Sequence, residues 1–174
     1  MARLLRCLRL LTTPQEAAMC SMHPTAAAAP QASAATTAID HVGLSVRDLD
    51  AAVVFYTKAL GLTEEFRFEV EDQRMRAVVL RAADGYAVEL MSRPDSVPSP
   101  PASDPNTAVL RQGYGHFCLR VSDLDGLYDR VLAAGASVIV PPGPAPHPDV
   151  RFGYLADPEG NLIELIQIRE GATL

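Results

Sequence analysis

From residue 39 the chain alternates apolar and polar positions as a half-buried strand does. In IDHVGLSV, Val42, Leu44 and Val46 fall on one face and Ile39, His41, Gly43 and Ser45 on the other. The period then changes: Asp48 suits a helix N-cap, Leu49, Val53, Tyr56 and Leu60 follow at helical spacing, and Gly61 stands where the helix would stop. Alternation returns over 65–70, 75–81 and 86–91, the last two segments parted by the turn pair Asp84-Gly85. The expected order is βαβββ.

That order recurs. A strand is expected over 116–121, then a helix capped by Asp123 with Leu124, Leu127, Tyr128 and Val131 as its apolar stripe and Gly135 as its stop, then strands over 137–140, 151–156 and 161–168. The recurrence reaches residue identity at one offset of 75: His41 becomes His116, Glu89 becomes Glu164, and Leu44 and Val46 become Leu119 and Val121. Asp48-Leu49-Asp50 returns as Asp123-Leu124-Asp125, and Asp84-Gly85 and Leu90 return as Glu159-Gly160 and Leu165. Such self-similarity marks two copies of one supersecondary module. The expected fold class is α+β: two tandem βαβββ modules, 39–92 and 115–168, forming a curved sheet around a metal or ligand cavity within a domain spanning 39–170. A linker over 93–114, with five prolines between Pro94 and Tyr114, joins them. A second proline-dense stretch, 141–149, reads as a stiff loop at the rim of the site.

Strand parity assigns faces. His41 stands opposite Val42 and Leu44, Glu89 opposite Val88 and Leu90, His116 opposite Phe117 and Leu119, and Glu164 opposite Ile163 and Leu165. With the apolar faces packed on the helices, all four polar side chains project from the other side of the sheet. A lone strand histidine or glutamate is more often structural or solvated. Four of them at one offset, each on the polar face, point instead to a shared role. Two carboxylates in one partly buried pocket repel unless a cation or proton compensates them. A divalent ion does so and also accepts both imidazoles.

Composition narrows the partners. A formal charge of −6, a pI near 5.1 and the lack of a basic stripe in the body argue against nucleic acid. No apolar run approaches the ~18 residues of a membrane span. Cys7, Cys20 and Cys118 are odd in number and form no CxxC pair, so reduced thiols are expected. A small-molecule substrate remains. Residues 1–38 differ from the rest: Arg3, Arg6 and Arg9 alternate with leucines, no acid precedes Glu16, and AAAAPQASAATTA follows. This reads as a mitochondrial transit peptide; without such an address the protein would be cytoplasmic.

The segments IDHVGLSVRDLD, YGHFCLRVSDLD and DPEGNLIEL resemble the glyoxalase/bleomycin-resistance/extradiol-dioxygenase group, the vicinal-oxygen-chelate superfamily, over about residues 39–168. Within it, the order His41, Glu89, His116, Glu164 looks like the ligand order of bacterial-type glyoxalase I. The resemblance implies a homodimer with one divalent metal ion per site (nickel, cobalt, zinc, manganese or iron). It also implies a lyase or isomerase that moves a proton next to a carbonyl of a small vicinal-oxygen substrate through a metal-stabilised enediolate. His41 and His116 would be fixed ligands, Glu164 the principal base and Glu89 its counterpart. Glyoxalase I holds glutathione with an arginine four residues after the first ligand and an asparagine four after the second. Here those positions are Ser45 and Arg93, so Arg93 and Arg120 become the expected substrate-binding residues. The alternatives are an epimerase of an acyl-CoA thioester, which would carry glutamine in place of Glu89, and a metal-free drug-sequestering protein, which would lack the ligand set. Cys118 reads as a small buried hydrophobe, and His147 as a solvated loop residue.

Overall fold

The computed structural model describes residues 38–172, and the targeting segment read at the N-terminus lies almost wholly outside them. The first module runs β1 (His41–Ser45), α1 (Leu49–Leu60), β2 (Thr63–Val70), β3 (Met75–Arg81) and β4 (Ala87–Ser92). A short helix α2 (Pro105–Ala108) interrupts the linker. The second module runs β5 (Phe117–Arg120), α3 (Leu124–Ala133), β6 (Ser137–Pro144), β7 (Val150–Ala156) and β8 (Leu162–Ile168).

Local chemistry accounts for the boundaries. The Asp48 carboxylate accepts from the Ala51 amide at 3.0 Å and starts α1; Gly61, at φ 71°, ends it in a conformation that costs glycine little. Asp123 accepts likewise from the Gly126 amide, and Gly135, at φ 114°, follows α3. Each module forms its own open sheet, ordered β1-β4-β3-β2 and β5-β8-β7-β6, in which the first strand runs parallel to the last and the other pairs are antiparallel.

α1 packs on β3 and β4, α3 packs on β6, β7 and β8, and the two helices pack on each other. Tyr56, Val78, Leu80, Val88 and Leu90 of the first module share one buried cluster with Leu124, Val131, Leu155, Ile163 and Leu165 of the second. The helices are therefore a middle layer, with the apolar face of each sheet turned in against it. Each such side chain contributes roughly 1.5–3 kcal/mol on full burial, so several terms per strand decide which face turns inward. The faces carrying His41 and Glu89, and His116 and Glu164, point away from that layer.

Polar groups also tie the modules. The Tyr56 hydroxyl of α1 donates to Asp157 at 2.8 Å, and the Glu159 carboxylate accepts from the Arg47 and Asp48 amides at 2.7–3.0 Å.

Two expectations are corrected. Residues 141–144 are not loop but the end of β6, which lies at the sheet edge with register shifts on either side of Val140. A proline, having no N–H to give, is tolerated there because an edge strand pairs on one side only. The linker is not wholly irregular either: Asp104 accepts from the Asn106 and Thr107 amides, and Pro105 occupies the first turn of α2. One turn is too short to show a period.

Candidate metal and active site

β1 and β4 are parallel neighbours, and they bring His41 Nε2 to 3.4 Å from Glu89 Oε2. β5 and β8 repeat the arrangement, with His116 Nε2 at 3.0 Å from Glu164 Oε2. Both glutamates are largely sheltered, at 18% side-chain exposure, while the histidines are more open. The structure thus joins each expected ligand with its own module's partner and does not gather all four. Among the described residues no group of three or more His, Cys, Asp or Glu side chains is placed to hold one ion. The middle layer of helices is the physical reason, since it turns the two polar faces away from each other.

The surroundings of the pairs differ. In the first module His41 Nδ1 lies 3.3 Å from Asp40, which in turn accepts from Arg81, so the carboxylate orients the imidazole. The Arg81 and His41 hydrogen bonds hold the Asp40 pKa below the usual carboxylate value. In the second module Tyr154 places its hydroxyl 3.4 Å from His116 Nε2 and its ring edge-on to the imidazole, with centroids 5.2 Å apart. Burial, then hydrogen bonding to Glu164 and its charge, push the Tyr154 pKa up.

Cys118 is expected as a small buried hydrophobe; it is instead exposed, on the face it shares with His116 and directly across the ladder from Glu164. The residue as a whole is exposed, yet desolvation of its sulfur, then the Glu164 charge and hydrogen bond, push the thiol pKa up to about 12. Tyr154 was not singled out from sequence. Its importance depends on the β7–β8 register, in which it faces Glu164, and the chain alone offers only its offset of 75 from Val79 as a hint.

Among the described residues neither expected substrate-binding arginine forms an ion pair with Glu89 or Glu164. Arg93 is exposed just past the end of β4. Arg120 lines a cavity of about 550 Å³ at the module junction with Asp84 and Arg130, and a second cavity of about 530 Å³ lies between the linker and the 158–162 turn. None of the four ligand-type residues lines either cavity. His147 is a turn residue, its Nδ1 accepting from the Asp149 amide at 3.2 Å.

Residues 38–165 match the family model of the Glyoxalase/Bleomycin resistance protein/Dioxygenase superfamily. The chain belongs to that superfamily. Among curated superfamily relatives, a probable lactoylglutathione lyase of Synechocystis is 30% identical over 73% of this chain and 92% of its own length. A probable lactoylglutathione lyase of Vibrio cholerae is 29% identical over 75% of this chain and 90% of its own. The crystal structure of a V278E mutant of glyoxalase I from Zea mays superposes with a TM-score of 0.62 at 24% identity, covering 76% of this chain and 45% of that one. The chain spans less than half of the maize protein, and that likeness bears on the superfamily fold.

Proposed function

We propose that the protein is a metal-dependent, glyoxalase-like lyase or isomerase that works as a homodimer. His41 and Glu89 of one copy meet His116 and Glu164 of another around one divalent ion. One observation carries this reading: two His–Glu pairs in identical register, each half of a four-ligand set, both facing away from the helical layer of their own chain. Two ligands do not hold an ion of this kind, and the four-coordinate sets of divalent metals need what a second copy supplies.

The donors fit such an ion. Two imidazoles and two carboxylates form an all-N/O set open to nickel, cobalt, zinc, manganese or iron. Cys118 lies nearby, across the ladder from Glu164. Asp40 behind His41 and Tyr154 beside Glu164 are the outer partners that such ligands call for. When bound, the ion would act as a Lewis acid on adjacent substrate oxygens.

The chain's own residues do the rest. His41 and His116 orient, while a glutamate of the set takes a proton from the carbon beside a carbonyl and returns it to the neighbouring carbon. Their partial burial keeps these carboxylates from being fully solvated, which favours proton transfer over solvent exchange. On the same face as Glu89, strand register sets Phe66 against Val79, Phe68 against Ala77 and Met91 beyond them. The two phenylalanine rings stack with centroids 5.9 Å apart. This apolar strip, with Ser45 and Arg93 in place of the glutathione-holding pair, supports a substrate whose non-reacting part is less polar than a peptide thiol. The related lactoylglutathione lyases make the thiohemiacetal class the first to test.

The test is elemental analysis and mass measurement of protein purified without chelator, followed by turnover of thiohemiacetals, α-hydroxycarbonyls and acyl-CoA thioesters. About one transition metal per chain in a dimer, lost in His116→Ala, is the expected result. A wild-type chain that remains metal-free after reconstitution with each of the five metals would overturn the reading. Turnover confined to acyl-CoA thioesters would reassign the reaction to epimerisation.

A further inference from the structure

The two carboxylates that the module repeat makes equivalent have unequal neighbours. On β8, Glu164 is flanked across the ladder by Cys118 of β5 and Tyr154 of β7. On β4, Glu89 is flanked by Gly43 of β1 and Val79 of β3. Gly43 and Cys118 stand at the offset of 75, as do Val79 and Tyr154, so these are the same two places in each module filled by different chemistry. Directly opposed residues of a sheet have Cβ atoms about 4.5–5.5 Å apart, within reach of one another's side chains. Glu164 therefore has a phenol and a thiol as cross-strand neighbours, whereas Glu89 has an apolar side chain and a bare glycine.

The remaining contacts sharpen the difference. Tyr154 is itself fixed: 6% exposed, edge-on to His116 and edge-on to Phe152 at 6.0 Å. Its hydroxyl, 3.4 Å from His116 Nε2 beside Glu164, is thus held in the site by packing rather than free to turn into solvent. Beside Glu89 the backbone is bare. A Cβ on Gly43 would lie 3.7 Å from Glu89 Oε2 and 3.0 Å from Met91 Cε, so glycine leaves that carboxylate room to move. The outer support in the first module goes to the histidine instead, through Asp40 and Arg81.

We propose that Tyr154 is a positioning residue that tethers Glu164, and that the glutamate free to leave its ligand position and take the substrate proton is Glu89. This rests on the metal reading above and reverses the roles that the family resemblance implies for the two residues. Glu164, held by donors, keeps its place as ligand. Glu89, held among the described residues only by the imidazole of His41 at 3.4 Å, swings toward the reacting carbon. In the reaction Glu89 gains the proton that the C–H bond releases, the electron pair passes into the adjacent carbonyl, and the proton returns to the neighbouring carbon, so no oxidant or co-reactant is needed.

The experiment uses the full chain and three variants. Tyr154→Phe keeps the ring against His116 and removes only the hydroxyl. Glu89→Gln and Glu164→Gln compare the two carboxylates, and zinc affinity is read by competition with a chromophoric chelator, independently of turnover. Loss of an outer-shell partner costs about 10–100-fold in metal affinity, and Tyr154→Phe is expected to show a loss of that size. Glu164→Gln should lose the metal, while Glu89→Gln should keep zinc within about tenfold of wild type and lose kcat. Should Tyr154→Phe be poorly folded by circular dichroism, Val79→Thr provides the reciprocal test: it is close in shape and gives Glu89 a donor, and it should lower kcat several-fold with KM unchanged. Unaltered zinc affinity in a folded Tyr154→Phe, or loss of zinc in Glu89→Gln as complete as in Glu164→Gln, or an unaltered kcat in Val79→Thr, would overturn the proposal while leaving the metal reading intact. A wild-type chain that binds none of nickel, cobalt, zinc, manganese or iron would overturn the metal reading itself.

Discussion

Among the described residues Asp157 is the one charged residue buried in the core, 4% exposed, and it accepts four hydrogen bonds. Oδ1 takes the Glu159 and Asn161 amides at 2.9 and 2.8 Å, and Oδ2 takes the Asn161 side-chain amide and the Tyr56 hydroxyl, each at 2.8 Å. Tyr56, 0% exposed, comes from the other module, so this bond couples the two. Burial and the Asp157 charge and hydrogen bond drive the Tyr56 pKa far above its ordinary value, so the phenol stays protonated at every usable pH. Tyr56→Phe removes one bond to a charged acceptor, about 1.5–3 kcal/mol. Asp157→Ala removes both acceptor oxygens of these four bonds and strands a buried hydroxyl, so its cost should exceed 3 kcal/mol.

The coupling is the decisive quantity. In the Asp157→Ala background the Tyr56 hydroxyl has lost its acceptor, and deleting it should cost about nothing or stabilise by relieving an unpaired buried polar group. The interaction energy should therefore be about 1.5–3 kcal/mol. Asp157→Asn is the less informative perturbation, because the Tyr56 hydroxyl and the Asn161 amide can both turn to accept from a new NH2 group. Urea unfolding at fixed protein concentration measures the cycle, with a midpoint shift of about 1 M for each 2 kcal/mol if the slope is about 2 kcal/mol/M. Additive single effects, with Tyr56→Phe equally costly in both backgrounds, would refute the coupling.

Glu159→Ala strips the acceptor from the Arg47 and Asp48 amides at the start of α1 and should destabilise by about 1–2 kcal/mol in the same assay, less at high salt because the site is partly open. Gly153→Ala would place a Cβ 3.1 Å from the Tyr128 ring and 3.3 Å from the Val140 carbonyl, and overpacking there should cost about 1–3 kcal/mol; an unchanged midpoint would show that Tyr128 yields freely. In metal-free protein, Cys118, with its pKa at about 12, should alkylate far more slowly at pH 8 than an ordinary thiol, as read by peptide mass mapping. The folded chain holds that proton more tightly than the unfolded one, so this group's contribution to stability is full below about pH 8.5 and falls as pH rises toward 12. We also propose that residues 1–38 act as a mitochondrial address; fused to a fluorescent reporter they should direct it there, and a diffuse signal would end that reading.

What could be read from the chain was what local chemistry and parity decide. Asp48 and Gly61, or Asp123 and Gly135, bracket their helices with groups whose partners lie within a few residues, so both helices were legible. Strand alternation assigned faces, and Val88 and Leu90 do turn into the core while Glu89 turns out of it. What depends on pairing was not legible. β6 runs on through Pro141 and Pro142 because it is an edge strand, and an edge is a property of the sheet order rather than of the segment. Tyr154 became a site residue only once β7 was laid against β8. The separation of the two His–Glu pairs arises from α1 packing on α3, a contact between apolar stripes that looks the same in sequence whichever way the modules turn.

That helix contact is held by an unequal pair of junctions, whose matched acidic residues differ by one methylene. At the first, Glu159 reaches the amides ahead of α1. At the second, the residue 75 positions earlier is Asp84, and a cavity of about 550 Å³ lined by Asp84, Ser122, Asp123 and Arg130 stands beside the start of α3. Arg130 crosses instead to the Ala59 carbonyl at 3.0 Å and ties α3 to the end of α1. The clasp of Glu159 with Asp157 and Tyr56 thus fixes one end of the helical layer through carboxylate acceptors, and a guanidinium to carbonyl bond fixes the other. Since that layer keeps the His41–Glu89 and His116–Glu164 pairs on opposite faces, the groups that set the geometry of the half-sites lie in the module junction, away from the chemistry they arrange.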